Sequence, residues 1–249
     1  MNHSELSVQL YTVREALHDD LTGTLARIAE IGYRRVEPFD LVETIGLADA
    51  LASAGLAAPT AHQDIIGLPE TELHEIFGLA DAMGIARVMD PWVTPERWQS
   101  TESIAAIAAE LNEAARIAHD HGVAVGYHNH VHELESVIDG RLALDIFADM
   151  LDPTVGLELD TYWVVVAGQD PVDVLDRLGE RVVAIHVKDG PGTAEIKDQV
   201  AVGSGSLSIR EILAAAPNAL RVVELDDSRG DRFQAIADSY AYLATGNFA

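Results

Sequence analysis

Ten residues of the sequence, GYHNHVHELE at positions 126–135, combine three histidines with two glutamates. They follow an apolar segment, VAV at 123–125, which has the composition of a buried β-strand. Imidazole and carboxylate groups bind divalent cations and transfer protons. The chain has no cysteine, so a metal ion would be held by His, Asp and Glu alone. The segment therefore predicts a metal site, a proton relay or a polar loop.

The balance of charge restricts the partners of the protein. The 249 residues include 41 acidic and 16 basic side chains, which give a formal net charge of −25. Nucleic acids and anionic membrane surfaces are bound through Lys and Arg, so neither is expected as a partner. No apolar run approaches the roughly 18 residues of a membrane span, and the opening MNHSELSVQL lacks the apolar centre of a signal peptide. We expect a cytoplasmic protein, and a homo-oligomer is compatible with this composition.

Short apolar runs alternate with longer segments of helical periodicity along the whole chain. Eight such pairs occur, from LSVQLY with DLTGTLARIAEIG to RVVEL with DRFQAIADSYAYLAT. Several predicted helices end at a glycine, the residue that favours a left-handed cap: Gly32, Gly55, Gly84, Gly122 and Gly179. A doubly wound open sheet is disfavoured, because no glycine-rich phosphate turn follows the first strand. The sequence predicts an α/β fold, a single (β/α)₈ TIM barrel spanning residues 1–249.

Polar residues recur at the end of each predicted strand. In a TIM barrel these ends meet at one mouth, where the functional side chains lie. The candidates, strand by strand, are Gln9, Tyr11 and Arg14; Glu37; His62; Asp90; His128, His130 and Glu133; Asp160; His186 and Lys188; and Glu224.

Four of these residues have the chemistry of metal ligands: Glu133, Asp160, His186 and Glu224. Each is separated from the next by about one strand and helix, so the four belong to neighbouring strands and can converge on one ion. Three carboxylates and one imidazole suit Mn²⁺, Co²⁺, Mg²⁺ or Zn²⁺ and leave positions open for two substrate oxygens. Any one of these carboxylates alone would more often be a solvated or ion-paired residue of the rim.

Five segments together resemble the xylose isomerase-like sugar phosphate isomerase/epimerase family. They are VQLYTVR, YHNH followed by an acidic residue, ELDTYWVVVAG, HVKD and VVELDD, and the resemblance extends from Leu6 to Leu243. The family is similar to inosose dehydratases, ketose 3-epimerases and lyases of 3-keto-glycosides, all of them divalent-metal barrels. The resemblance implies the same four ligands that the strand ends indicate.

The segment after YHNH departs from the family pattern. Relatives continue with an acidic and aromatic run before the ligand glutamate, whereas Val131 and His132 intervene here and Glu135 also follows. Glu135 is therefore an alternative ligand. Glu133 keeps the family spacing of three residues after His130, and we take it as the predicted ligand.

The resemblance and the predicted ligands together indicate an isomerase or epimerase of a ketose or polyol-derived ketone. Deprotonation next to a carbonyl becomes easier when two substrate oxygens bind a divalent ion, because the ion stabilises the enediolate. The residues predicted to take part in catalysis are Glu133, Glu224, His130 and Lys188. The residues predicted to bind substrate are Glu37, His62, His128, Trp163 and Arg14, although core packing is the default role for Trp163.

Three other functions remain as alternatives. Elimination from the same enediolate would make the protein a dehydratase or a 3-keto-glycoside lyase. An endonuclease IV-like DNA repair enzyme shares the barrel type, but the negative charge disfavours it. A metal-free sugar-binding barrel is the third. We also predict an uncharged sugar or inositol-derived ketone as substrate. No glycine-rich turn opens a helix after the last two strands except VGSGS at 202–206, and the basic residues near the mouth are limited to Arg14, Lys188 and Lys197. A phosphate site made by the backbone amides of residues 203–206 is the alternative.

Overall fold

A computed structural model describes residues 6–246 of the chain. Its main sheet has seven parallel strands in the order β1-β9-β8-β7-β4-β3-β2. Their bounds are β1 Leu6–Val8, β2 Thr60–His62, β3 Arg87–Asp90, β4 Ala124–His128, β7 Gly156–Asp160, β8 Val182–Val187 and β9 Leu220–Val223. A short antiparallel ribbon, β5 Val137–Ile138 with β6 Arg141–Leu142, lies outside this sheet.

Residues 35–39 fill the gap between the two edge strands β1 and β2. Gln9 bridges Glu37 and Phe39 bridges His62, both in the parallel sense, and Arg35 bridges Ala57. The segment forms isolated bridges and not a continuous strand, and its Pro38 has no N–H to donate to a ladder. It is the eighth strand position, and it confirms the predicted TIM barrel.

The helices follow the strands as the sequence predicts. They are α1 Arg14–Asp19, α2 Leu21–Ile31, α3 Leu47–Ala54, α4 Glu70–Ala82, α5 Thr101–His119, α6 His132–Glu135, α7 Ala143–Met150, α8 Thr161–Val166, α9 Pro171–Leu178, α10 Ile209–Ala215 and α11 Arg232–Thr245. In α5, Ser100 caps the first turn by accepting from the Ser103 N–H, and the apolar residues Ile104, Ile107 and Leu111 face the core. Helix α3 ends at Gly55, whose φ of 66° is the left-handed cap expected there.

The strands β4 and β7 approach closely where two glycines face each other. Gly126 is the register partner of Gly156. A Cβ placed on Gly126 would lie 2.4 Å from Met89 Sδ and 2.9 Å from Gly156 O, so no larger residue fits. Gly126 lies two residues before His128 on β4, and the same register pairs His128 with Glu158 on β7.

Most of the buried apolar side chains of residues 6–246 form one cluster around the barrel. Within the same range, no helix is both long and apolar enough to cross a membrane. Residues 1–5 and 247–249 of the predicted domain lie outside the described residues.

Candidate metal centre

Alternation along the parallel strands brings His128, Asp160 and His186 to the same side of the sheet. Asp160 is the register partner of His186, and His128 is the partner of Glu158, two residues before Asp160. Side chains two residues apart on a strand share a face, so Glu158 and Asp160 both point to the barrel axis. Glu224 follows directly after β9, next to His186 on β8.

Four buried side chains meet at the mouth of the barrel, and we call His128, Asp160, His186 and Glu224 the mouth group. Each offers a ligand atom, and these atoms all lie within 4.8 Å of one another. His186 Nδ1 is 2.7 Å from Glu224 Oε2, and His128 Nε2 is 3.8 Å from Asp160 Oδ2. Three of the four predicted ligands are therefore brought together.

The fourth predicted ligand, Glu133, lies outside the mouth group, and His128 stands in its place. The chain turns into α6 after His130, which directs the Glu133 side chain back to the outer face of β4. There its carboxylate accepts from Tyr127 Oη at 2.7 Å and from the His130 N–H at 2.9 Å. Burial raises the pKa of Glu133 to about 7. The alternative, Glu135, is exposed and also lies outside the group.

Asp160 has two separate tasks. Its Oδ1 caps helix α8 by accepting from the Tyr162 and Trp163 N–H groups, at 2.9 and 3.1 Å. Its Oδ2 accepts no hydrogen bond, although it lies 2.7 Å from Lys188 Nζ in an ion pair. One oxygen is thus held by the backbone while the other remains available to a cation.

Lys188 lies among carboxylates and points into the same space. Its Nζ is 2.7 Å from Asp160 Oδ2, 2.8 Å from Glu224 Oε2 and 2.8 Å from Asp226 Oδ1. Burial opposes its charge, but the three carboxylates raise the pKa of Lys188 well above its usual value. The ammonium therefore offsets part of the negative charge of the mouth group.

A second set of side chains lies below the mouth group, and we call Glu37, His62 and Glu158 the lower layer. His62 and Glu158 form a second cluster of potential ligands with the shared residues His128 and His186. His62 Nε2 is 2.6 Å from Glu158 Oε2 and 3.2 Å from Glu37 Oε1. Although burial opposes it, these two carboxylates raise the pKa of His62 to about 10. Burial and Glu37 likewise oppose ionisation of Glu158, but His186 and His62 lower its pKa to about 2.

Glu158 was absent from the residues predicted from the sequence. Its signal was present, because it lies two positions before Asp160 in the strand GLELD and so shares the inward face. Glu37 was predicted to bind substrate, yet it is fully buried below the mouth group and accepts from His186 Nε2 at 2.9 Å and Gln9 Nε2 at 2.9 Å. The hydrogen-bond partners of its carboxylate are therefore side chains of the protein itself.

The residues of the mouth group fit a divalent cation. Two imidazoles and two carboxylates are a donor set suited to Mn²⁺, Co²⁺ or Zn²⁺. Asp160 Oδ2 is a buried atom that accepts no hydrogen bond, and the ammonium beside it, Lys188 Nζ, is shared with Glu224 and Asp226. A carboxylate buried in this way is stabilised by a nearby cation.

A cavity of about 390 Å³ opens above the mouth group. Its lining consists of Tyr11, Arg14, Phe39, Asp40, His62, Pro91, Trp92, His128, His130, Trp163, Ile196, Glu224 and Asp226. Predicted site residues that face it are Arg14, His62, His128, His130, Trp163 and Glu224, whereas Glu37, Glu133 and Lys188 do not line it. Sequence reasoning missed Trp92, which follows the predicted strand end Asp90 by two residues.

His130 stands at the side of this cavity, against Trp92. The ring centroids are 4.8 Å apart in an edge-to-face contact, and His130 Nδ1 has no hydrogen-bond partner. Burial, aided by the charge of Lys188, lowers the pKa of His130 to about 3.

The glycine-serine loop at 202–206 is occupied by a carboxylate of the protein itself. Asp189 Oδ2 accepts from the N–H groups of Gly203 at 2.9 Å and Gly205 at 3.0 Å. Its Oδ1 accepts from Gly190 at 2.8 Å and Leu207 at 3.2 Å. The intervening amides of residues 204 and 206 donate to backbone carbonyl groups. The loop therefore has no free amide between residues 203 and 207.

Several solved structures are similar in shape to this chain. A sugar phosphate isomerase/epimerase from Parabacteroides distasonis superposes with a TM-score of 0.83 at 23% identity, over 100% of this chain and 96% of that one. The zinc-bound IOLI protein has a TM-score of 0.76 at 17% identity, over 98% and 99% of the two chains. An L-ribulose 3-epimerase has a TM-score of 0.72 at 15% identity, over 96% and 93%. At these identities the likeness shows the fold alone.

Among curated proteins, the chain is 31% identical over 100 residues to an inosose dehydratase of Clostridium tetani, a match covering 40% of this chain and 30% of that protein. It is 30% identical over 98 residues to an inosose dehydratase of Geobacillus kaustophilus, covering 39% and 29%. The matches span about a third of the length of these relatives. The model of the family described as xylose isomerase-like TIM barrel matches residues 25–244, nearly the whole chain, and the chain belongs to that family.

Proposed function

We propose that the protein is a divalent-metal-dependent isomerase or epimerase of a ketose or polyol-derived ketone. The observation that carries the proposal is the mouth group, in which two imidazoles and two carboxylates converge at the floor of a 390 Å³ cavity. A divalent ion held there would polarise the carbonyl and hydroxyl oxygens of a bound ketone. The structural neighbour with a bound zinc atom supports a metal site in this fold.

The protein supplies a proton acceptor beside this floor. His130 faces the cavity, and burial, which lowers its pKa to about 3, keeps the imidazole in the neutral form that can accept a proton or a hydrogen bond from a substrate. Glu224 also lines the cavity, and it is paired with His186 and Lys188 on its inner side. Lys188 holds a positive charge next to the oxygens of Asp160 and Glu224, which keeps the acidic floor from repelling a developing oxyanion.

The substrate we propose is uncharged. The amides of residues 203–207 are taken by Asp189 and by backbone carbonyl groups, so this loop offers no cradle for a phosphate. Arg14 Nη1 donates to the carbonyl oxygens of Tyr11 and Asp226. Lys188 is surrounded by three carboxylates. The net charge of −25 further disfavours an anion.

Aromatic side chains line the cavity above the candidate metal site. Trp92 is 46% exposed, and Tyr11 is 41% exposed, which is unusual for large aromatic residues. Trp163 contributes a third ring to the lining. Such rings pack against the C–H faces of a sugar or inositol ring, so a cyclic substrate fits this cavity.

Metal analysis of variants tests the site. The wild-type protein should bind one equivalent of Zn²⁺ or Mn²⁺, and Asp160→Asn and His128→Ala should lose it. Glu133→Gln should keep the ion, because its carboxylate faces Tyr127 and not the mouth group. Loss of the ion in Glu133→Gln with retention in His128→Ala would restore Glu133 as the ligand.

Glu224→Gln should fold normally and turn over substrate far more slowly, and wild-type activity in this variant would remove the proposed site.

Dehydration is the second candidate reaction, because the curated relatives that match are inosose dehydratases. The same deprotonation leads to elimination when a leaving group is adjacent to the carbon that loses its proton. Metal-loaded protein should be offered paired free and phosphorylated ketoses, inososes and 3-keto-glycosides in deuterated water. Deuterium uptake without loss of water supports the isomerase, whereas loss of water or aglycone supports the lyase. Exchange with phosphorylated substrates alone would refute the uncharged substrate.

A further inference from the structure

Each imidazole of the mouth group has one ring nitrogen facing upward, to Asp160 or Glu224, and the other facing downward, to the lower layer. The upward nitrogen is Nε2 in His128 and Nδ1 in His186. His128 directs Nε2 to Asp160 Oδ2 at 3.8 Å and Nδ1 to Glu158 Oε2 at 3.3 Å. His186 directs Nδ1 to Glu224 Oε2 at 2.7 Å and Nε2 to Glu37 Oε1 at 2.9 Å. The downward nitrogens thus both face carboxylates of the lower layer.

The distances within the lower layer are those of hydrogen bonds. His62 Nε2 is 2.6 Å from Glu158 Oε2, and His186 Nε2 is 3.2 Å from the same oxygen. Gln9 also donates to Glu37 Oε1 at 2.9 Å, and a neutral amide donor is consistent with a hydrogen-bonded carboxylate. Glu37 and Glu158 also do not line the cavity, whereas His128 and Glu224 of the mouth group do. We therefore treat the two lower carboxylates as hydrogen-bond acceptors and the mouth group as the ion site.

We propose that Glu158 and Glu37 are positioning residues that hold the two ligand imidazoles in opposite tautomers. His128 carries its proton on Nδ1 and binds the ion through Nε2, whereas His186 carries its proton on Nε2 and binds through Nδ1. This inference rests on the metal site of the proposed function. Nothing in the sequence predicts the difference between the two histidines.

The physical reason lies in what an ionised carboxylate can do. It accepts hydrogen bonds and donates none. Both nitrogens of each ring face carboxylates, but Asp160 and Glu224 would hold the ion, whereas Glu158 and Glu37 would remain free to accept. The nitrogen that faces the lower layer therefore carries the proton, and the opposite nitrogen keeps its lone pair for the ion. Ligand histidines in metal sites commonly donate their second N–H to a carboxylate, which fixes the ring and makes it a stronger donor. His62, placed between Glu158 and Glu37, holds both carboxylates in place.

Nitrogen NMR of the zinc-loaded protein tests the proposal directly. With ¹⁵N-labelled histidine, long-range proton–nitrogen correlations distinguish a protonated nitrogen from one bound to zinc. We expect protonated Nδ1 and zinc-bound Nε2 in His128, and the reverse in His186. The same tautomer in both rings, or the reverse of the expected pair, would overturn the proposal. Binding of two zinc ions with both nitrogens of each ring engaged would overturn it as well, because the lower layer would then be an ion site.

Variants separate positioning from general support of the fold. Glu158→Gln and Glu37→Gln should each weaken zinc affinity by about 10- to 100-fold. Glu133→Gln is the matched control, since it makes the same change at an equally buried carboxylate that touches neither imidazole, and it should bind zinc like the wild type. Wild-type affinity in both lower-layer variants would contradict the proposal. If circular dichroism shows that either variant does not fold, the tautomers measured by NMR in the wild type still decide the question.

The same experiment distinguishes the inference from the function on which it rests. Failure of the wild-type protein to bind zinc in a titration would remove the metal-dependent function and this inference together. Zinc binding with the wrong tautomers would remove the inference and leave the function standing.

Discussion

Replacing Asp189 with alanine should destabilise the protein by about 4 kcal/mol. The carboxylate accepts from four backbone N–H groups, those of Gly190, Gly203, Gly205 and Leu207. A hydrogen bond to a charged group contributes about 1.5–3 kcal/mol, and an amide left without a partner costs a similar amount. The loop is partly open to water, so we take about 1 kcal/mol for each amide. A loss of this size is a large part of the roughly 5–15 kcal/mol that stabilises a folded domain.

Urea unfolding, with wild type and Asp189→Ala at the same metal loading, measures this loss. With a slope of about 2 kcal/mol per M, the transition midpoint should fall by about 2 M. Added anions should also stabilise the folded variant, because the four amides then have no internal acceptor. Phosphate at about 50 mM, binding with a dissociation constant of about 10 mM, would restore about 1 kcal/mol. The wild type, whose loop is already occupied, should show no such gain.

Two results would refute the reasoning about Asp189. A loss below about 1 kcal/mol would mean that water replaces the carboxylate at little cost. An equal stabilisation of both proteins by phosphate would mean that the loop amides are accessible in the wild type, and the argument for an uncharged substrate would lose its main support.

Three further predictions concern packing, substrate contact and pH. Gly126→Ala should lower the free energy of unfolding by about 1–3 kcal/mol in urea titrations, because the added Cβ meets Met89 Sδ and Gly156 O; an unchanged midpoint would contradict the packing. Trp92→Ala should raise KM about fivefold with kcat little changed, since ring stacking contributes about 1 kcal/mol to binding; a fall in kcat alone would exclude this role. The pKa of Glu133 is raised from 4.5 to about 7, so its contribution to wild-type stability is full below pH 4.5 and is lost as pH rises through 7. Glu133→Gln should remove this loss, which amounts to up to about 3 kcal/mol in unfolding measured from pH 4 to 8, and parallel pH profiles of the two proteins would contradict it.

The sequence by itself determined the barrel and three of the four members of the mouth group. Asp160 ends an apolar strand, His186 is the last residue but one of a strand rich in valine and isoleucine, and Glu224 directly follows another such strand. Because the strands of a barrel are parallel, their ends meet at one mouth whatever the loops do. Alternation along β7 also contained the signal for Glu158, since residues two apart share a face.

Only the tertiary structure placed His128, and not Glu133, in the mouth group. The choice depends on where the chain leaves β4 and turns into α6, and a change of a few residues in that turn would send a different side chain inward. The Glu133 carboxylate instead accepts a hydrogen bond from Tyr127, on the other face of the strand. The hydrogen-bond partners of Asp189 were also decided by the tertiary structure. They are amides 14 to 18 residues further along the chain, together with the amide of the next residue. Hydrogen bonds between distant segments depend on loop geometry, which the hydrophobic pattern of a sequence does not encode.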